Sequence, residues 1–441
     1  MRRFLYLVLL LVLMPYPAGA EDIIKKGEVL NLDRCIEVAA QKQPSILAAR
    51  YTVDINWNRV GEAQSNYYPQ LAANAGYSRI KPVSIGSGRI TGAGPVISGT
   101  SSASSSNSFD EYSGSLTLNQ LIYDFGKTSS QVSISKLNLD SSRSDLDTAF
   151  EQTAFNVKQA YYGLLQSQRN REVAVDTVKQ NEQHLEQAKG FYEVGTKPKY
   201  DVTTAEVNLS NAKLSLIKAE TSIRIAKVTL DNAMGVTDAP EYSIEDNLAF
   251  EKYAITMDEA LARAYRDRPD LQSLVMKRKA AERNIDLQVT GYYPVLTGSA
   301  AYNVAGTDFP LGNGWSAGVA VTFPIFNGFL TKKQVEEARA NLNVFKANEE
   351  SLQQSILLDV RQSYLNLNDA EQSKVTAELT VQQATENWQI ANGRYAAGVG
   401  NPIEVTDAEV TLTNAKTSYI QALYNYKIAK ANLERAMGVK R

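Results

Sequence analysis

From residue 202 onward, apolar side chains recur at alternating spacings of three and four: Val202, Ala205, Leu209, Ala212, Leu216, Ala219, Ile223, Ala226, Leu230 and Ala233. A second run, Val405, Ala408, Leu412, Ala415, Tyr419, Ala422, Tyr426, Ala429, Leu433 and Ala436, has the same rhythm. This is the seam of a coiled coil, and alanine at every other seam position lets a neighbouring helix approach closely. Met-Gly-Val ends both runs, with Gly235 and Gly438 placed as C-terminal caps. Ahead of the first run a longer helix is expected from about Lys127 to Tyr192, with Leu146, Phe150, Thr153, Val157, Ala160 and Leu164 on its seam. Its roughly 65 residues would span about 100 Å. The short breaks Val194-Gly195-Thr196-Lys197-Pro198 and Ala397-Gly398-Val399-Gly400-Asn401-Pro402 turn each pair of helices into an antiparallel hairpin with a tight tip. Helices of this length must protrude from whatever globule anchors them.

Before each long helix the period drops to two. Leu71, Ala73, Ala75 and Tyr77 alternate with small polar residues, as do Tyr112, Gly114, Leu116 and Leu118. Leu296, Gly298, Ala300 and Tyr302, then Ala317, Val319, Val321 and Phe323, repeat the pattern later in the chain. Strands of about 10 residues with one apolar and one small polar face suit an outer-membrane barrel. Tyr68, Tyr77, Tyr112, Tyr293, Tyr302, Trp315 and Phe323 fall near strand ends, where an aromatic girdle would lie. A soluble sandwich is the other reading of this alternation. If the strands do enter lipid, four cannot close on themselves, because spanning barrels begin at about eight and lipid tolerates no open edge. Strands pooled from three chains would number twelve, over twelve long helices.

The chain is written twice. Pro44, Tyr67-Tyr68-Pro69 and Tyr77 recur as Pro269, Tyr292-Tyr293-Pro294 and Tyr302 at an offset of 225; Tyr161, Gly195 and Ala233-Met234-Gly235-Val236 recur as Tyr364, Gly398 and Ala436-Met437-Gly438-Val439 at an offset of 203. The difference places 22 extra residues in the first copy, where Ser84 to Ser108 is rich in glycine and serine and reads as a surface loop. The expected organisation follows in order along the chain. A first repeat over 21–236 carries strands at about 68–79 and 111–123 and a hairpin at about 127–235. A linker occupies 237–254. A second repeat over 255–439 carries strands at about 293–304 and 314–325 and a hairpin at about 329–438.

Composition narrows the chemistry. The 441 residues hold 46 Lys+Arg against 48 Asp+Glu, which supplies no basic footprint for nucleic acid. One cysteine, Cys35, excludes a disulfide framework, and one histidine, His184, leaves no cluster for zinc or haem. No phosphate loop or Cys-His pair is present, so neither an enzyme nor a resident cofactor is expected. Residues 1–20 read as a secretory signal, with Arg2 and Arg3 before an apolar run and Ala18-Gly19-Ala20 at the cleavage site. No apolar run after residue 20 approaches the roughly 20 residues of a spanning helix. The exported chain is either soluble or crosses a membrane with strands.

The tandem strand-hairpin halves, Tyr-Tyr-Pro before the first and third strands, Tyr123-Asp124-Phe125-Gly126 and Phe326-Asn327-Gly328 at the long helices, and Val194-Gly195-Thr196 with Asp201-Val202 at the first tip make the chain similar to the TolC-like outer-membrane channels of export and efflux systems. The resemblance covers nearly the whole mature chain. It implies a mainly helical protomer with a β-barrel portion, trimerising into a 12-stranded β-barrel in outer-membrane lipid on a 12-helix α-barrel across the periplasm. It further implies a periplasmic adaptor protein and an inner-membrane transporter, proton-driven or of the ATP-binding-cassette type, as partners. Carried over by position, the lumen-facing acidic pair falls on Glu404 and Asp407, the gating tyrosine on Tyr395 and its inter-hairpin partner on Asp201. Glu404 and Asp407 share a helix face, so threefold symmetry would stack them as two carboxylate rings; a solvated helix face is the plain alternative. Adaptor docking falls on Val194, Gly195, Thr196, Arg394, Gly398 and Val399, although the glycines also serve as turn residues and Arg394 as a cation at a helix C-terminus. The family often has an arginine where this chain has Gly400, so Lys197 or Lys199 is expected to tie the tips instead. A periplasmic coiled-coil scaffold or adaptor without a barrel is the competing reading.

Overall fold

A computed structural model describes residues 24–81, 108–237 and 239–439. The signal sequence and most of the Gly/Ser-rich insertion lie outside the described residues. Two helical and strand successions follow one another. The first is β1 (Val29–Leu30), α1 (Leu32–Lys42), α2 (Pro44–Gln64), β2 (Gln70–Ile80), β3 (Phe109–Tyr123), α3 (Lys127–Glu193) and α4 (Lys199–Met234). The second is β4 (Ser243–Ile244), α5 (Met257–Asp267), α6 (Pro269–Val289), β5 (Val295–Gly306), β6 (Gly312–Thr322), α7 (Leu330–Ala396) and α8 (Pro402–Ala436). Tyr67 and Tyr292 end 3-10 turns just before their strands, so β2 and β5 begin after the Tyr-Tyr-Pro motifs. Among the described residues no helix is long and apolar enough to cross a membrane.

Contacts divide the chain into two compact units that cut across the two sequence copies: Met1–Tyr51 with Ser144–Gln272 and Ser351–Arg441, and Thr52–Arg143 with Ser273–Glu350. The second unit holds an antiparallel sheet in the order β2-β3-β5-β6. Its register sets Leu71 opposite Leu118, Leu118 opposite Ala300 and Ala300 opposite Ala317. The apolar positions of all four strands therefore share one face, because cross-strand partners always do. Ala72, Thr117, Ala301 and Ser316 line up on the other. Aromatic rings gather at both strand ends: Tyr112 lies 5.3 Å from Tyr77 and 5.2 Å from Phe309, while Phe125 lies 4.7 Å from Tyr123 and stacks on Tyr293 at 5.5 Å. Both turns from strand to long helix use left-handed backbone, at Phe125-Gly126 and Gly328-Phe329. Asp124 closes the first by accepting from the Thr128 backbone N–H at 2.7 Å.

In the first unit, the hairpin interiors are apolar. Leu185 and Ala188 of α3 pack on Ala205 of α4, and Ala384 of α7 packs on Leu412 and Ala415 of α8. A further core around Val157, Tyr161, Leu165, Leu230 and Met234 encloses Cys35, Val38 and Ala39 of α1. Two buried tyrosines tether the linker: Tyr161 donates to the Glu245 carbonyl at 2.6 Å, and Tyr426 donates to the Glu251 carbonyl at 2.8 Å. The C-terminal glycines have a second role besides the left-handed cap. A Cβ on Gly235 would stand 2.8 Å from the Gln43 backbone, and one on Gly438 would stand 2.8 Å from that of Arg268. Gln43 and Arg268 occupy the breaks α1–α2 and α5–α6. Each caps the approaching helix: Gln43 Nε2 donates to the Ala233 carbonyl and Arg268 to that of Ala436.

Candidate functional site

The two hairpin tips lie side by side in the first unit. Gly195 and Gly398 take φ of +75° and +79° with open space around them, so it is the backbone conformation that selects glycine. Each tip is then a small knot of hydrogen bonds. At the first, the Phe191 carbonyl accepts from both the backbone N–H and the hydroxyl of Thr196, each at 2.9 Å. At the second, the Arg394 carbonyl accepts from Val399 at 3.1 Å and Gly400 at 2.9 Å. Asn401 then caps α8 by accepting from the Ile403 N–H at 3.0 Å. Val194 and Val399 stand at the tips as exposed apolar side chains.

Tyr395, in the last turn of α7, is wholly buried against Ala391, Val405 and Ala408. Its ring meets His184 at 5.0 Å and Phe191 at 5.5 Å, both from α3. Asp201, in the first turn of α4, is buried beside it. Burial first, and the Asp201 charge second, push the Tyr395 phenol above its ordinary range. Burial also lowers the pKa of His184, with Asp201 opposing. The structure places Asp201 near Tyr395, yet the Tyr395 hydroxyl is buried and has no hydrogen-bond partner, and the same holds for His184 Nδ1.

Glu404 and Asp407 lie exposed on one face of α8. Glu404 is also 3.5 Å from Arg394, so Arg394 spans the tip rather than standing free at the end of α7. Of the two lysines considered, Lys197 makes the tie. Its Nζ reaches the Gly400 carbonyl at 3.4 Å and lies 5.8 Å from the centre of the Tyr395 ring. Gly400 is more than a missing arginine. A Cβ there would sit 2.7 Å from the Tyr395 backbone nitrogen, so no side chain fits without rebuilding the tip.

No sequence motif singles out His184 or Glu409. Glu409 is buried on α8 and takes a 2.8 Å hydrogen bond from Asn181 Nδ2 of α3. The contacts from α3 to α8 continue in the same polar style, through Thr177 with Thr413 at 3.2 Å and Gln166 with Gln421 at 2.5 Å. Lys158 meets Glu434 at 2.8 Å, both largely buried. Side by side, the helices run α4, α3, α8, α7; each hairpin interior is apolar, and between the hairpins these polar pairs alternate with apolar contacts such as Phe191 on Tyr395. Among the described residues no group of three or more His, Cys, Asp or Glu side chains could hold a metal ion.

Known proteins are similar to this chain in sequence or in fold. TolC of Escherichia coli K12, named an outer membrane protein, is 24% identical over 92% of this chain and 82% of its own length. Among solved structures, the CmeC outer membrane channel of Campylobacter jejuni superposes with a TM-score of 0.77 at 18% identity, covering 92% of this chain and 85% of its own. The open-state MtrE outer membrane channel of Neisseria gonorrhoeae gives 0.76 at 19% identity, covering 96% and 93%. The profile of the outer membrane efflux proteins matches residues 35–236 and 260–439, and the chain belongs to that family of outer-membrane transport channels.

Proposed function

We propose that this chain is one protomer of a homotrimeric channel-tunnel that passively conducts the cargo of an efflux pump or type I secretion system across the outer membrane. The observation that carries this reading is the two-faced sheet with both outer strands, β2 and β6, unpaired within the described chain. Such edges require partners in lipid, and three copies would close a 12-stranded barrel. The aromatic clusters support a membrane setting. Tyr112 and Tyr123 are 11 residues apart on β3, or about 37 Å of strand, which projects to about 28 Å at a tilt near 40°. That matches a hydrocarbon core of about 30 Å.

The helical flanks support the same symmetry. Along α4, Val207, Leu214 and Val228 are exposed at multiples of seven, and along α7 so are Leu358, Leu365 and Leu379. Packing α7 of one copy on α4 of the next buries both stripes and closes a tube of twelve helices. A periplasmic scaffold without a barrel would leave the apolar face of the sheet bare. At the tips, Glu404 and Asp407 form acidic rings that select cations, buried Tyr395 with Asp201 near it and the Lys197 tie gate the hairpins, and Val194, Gly195, Thr196, Arg394, Gly398 and Val399 receive a periplasmic adaptor linked to a proton-driven or ATP-binding-cassette transporter. Outer-membrane fractionation, an unboiled gel and planar-bilayer recording test this reading. A heat-modifiable trimer with cation-selective conductance is expected; a soluble monomer without conductance overturns it.

A further inference from the structure

Between the hairpins, just inside the tips, lies a polar cavity of about 230 Å³ lined by α3, α4 and α8. Thr177 and Asn181 come from α3, Asn208 and Asn211 from α4, and Thr406 and Glu409 from α8. Glu409 is the one ionisable side chain on its wall and is only 5% exposed. Its neighbours offer dipoles and no counter-charge: Asn181 donates to Oε1 at 2.8 Å, and Asn208 spans to the Thr406 hydroxyl at 3.4 Å. Several charged groups on the same elements are engaged elsewhere, and Lys179 of α3 and Asp407 of α8 are exposed. Lys416 of α8 lies 3.6 Å from Asp176 of α3, Lys213 of α4 lies 3.7 Å from Glu182 of α3, and Asp201 of α4 acts on His184 of α3. Glu206, which stands in α4 where Glu409 stands in α8 at the repeat offset of 203, is exposed. The buried carboxylate therefore belongs to the junction between hairpins and not to the hairpin design.

We propose that Glu409 is a proton-operated latch between the two hairpins: neutral, it lets them pack around the cavity; ionised, it favours their separation and hydration of the cavity. A buried carboxylate without a counter-charge destabilises the packed arrangement, and the cost is relieved when water enters. Burial raises the Glu409 pKa to about 7, and no charged neighbour contributes. Separation returns the group to its ordinary range near 4.5, so opening releases a proton. The packed state is therefore fully favoured below about 4.5, loses ground as pH rises towards 7 and is unaffected by further increase. The shift in the packed-to-separated ratio across that window is on the order of 100-fold per protomer. His184 responds in the opposite sense, because its lowered pKa favours the packed state at higher pH.

The latch rests on the tip-gated channel reading, and two readouts keep the failures distinct. Spin labels on the full-length Val194→Cys/Val399→Cys protein report tip separation by pulsed electron resonance at pH 5 and pH 8. Bilayer conductance is recorded over the same range. With Glu409 intact, the tips are expected to be farther apart at pH 8 than in the same protein carrying Glu409→Gln, the difference vanishing at pH 5. Comparing Glu with Gln at each pH removes the contribution of His184. Asn181→Ala, which deletes the donor to the carboxylate, is expected to move the transition to higher pH. A tip distance with the same pH dependence in Glu409→Gln overturns the latch, whether or not current flows. An Asn181→Ala transition at unchanged or lower pH also overturns it. A Glu409-dependent distance change in a protein that carries no current supports the latch and overturns the channel reading instead.

Discussion

Tyr395 carries two separable contributions, because its ring fills the space between the tips while its hydroxyl is buried without a partner. Tyr395→Phe removes only that unsatisfied group and is expected to change stability by less than about 0.5 kcal/mol, or to increase it. Tyr395→Ala empties the site and is expected to cost about 3–5 kcal/mol. Chemical denaturation of the two variants distinguishes packing from hydrogen bonding at this position. His184 beside it is a source of acid sensitivity. With its folded pKa held below that of the unfolded chain, the native state binds fewer protons, so stability present above about 6.5 is lost as pH falls. Melting curves at pH 7.5 and 5.5 are expected to converge in His184→Gln relative to the parent protein.

At the scale of elements, the close approach of Gly235 to the Gln43 backbone makes the α1–α2 break a socket for the end of α4. Gly235→Ala adds a Cβ to left-handed backbone and drives it into that socket, at an expected cost of about 2 kcal/mol or more, visible as a lower denaturation midpoint. The elements themselves were largely legible. Three-four spacing marked α4 and α8, alternation marked the four strands, and glycines marked the tips and caps, because each signal is local. The registers between elements were not. Nothing in Glu409 or its repeat counterpart Glu206 says that one is buried and the other exposed. That difference arises because α8 packs on both α7 and α3, whereas α4 packs on α3 and leaves Val207, Leu214 and Val228 uncovered. The same limit applies at the tip. Gly400 invited comparison with an absent arginine, but the backbone 2.7 Å from its would-be Cβ is the stronger constraint.

At the scale of the whole molecule, the apolar face of the sheet is exposed on the single chain, with Val319 68% accessible. If that face meets lipid, Val319→Arg at mid-strand is expected to cost about 2–4 kcal/mol of barrel stability. Loss of the heat-modifiable trimer band, with the helical signal in circular dichroism retained, checks it. Insensitivity to the charge places the face in water. One buried atom also gives access to the history of the chain. Cys35 is completely enclosed by the α1 core, and burial pushes its thiol up to about 12. It is therefore inert once folding is complete and reactive only before. A pulse of maleimide delivered at successive times after synthesis is expected to modify newly exported chains and spare mature ones. The lone thiol is thus a built-in clock for the interval between secretion and assembly.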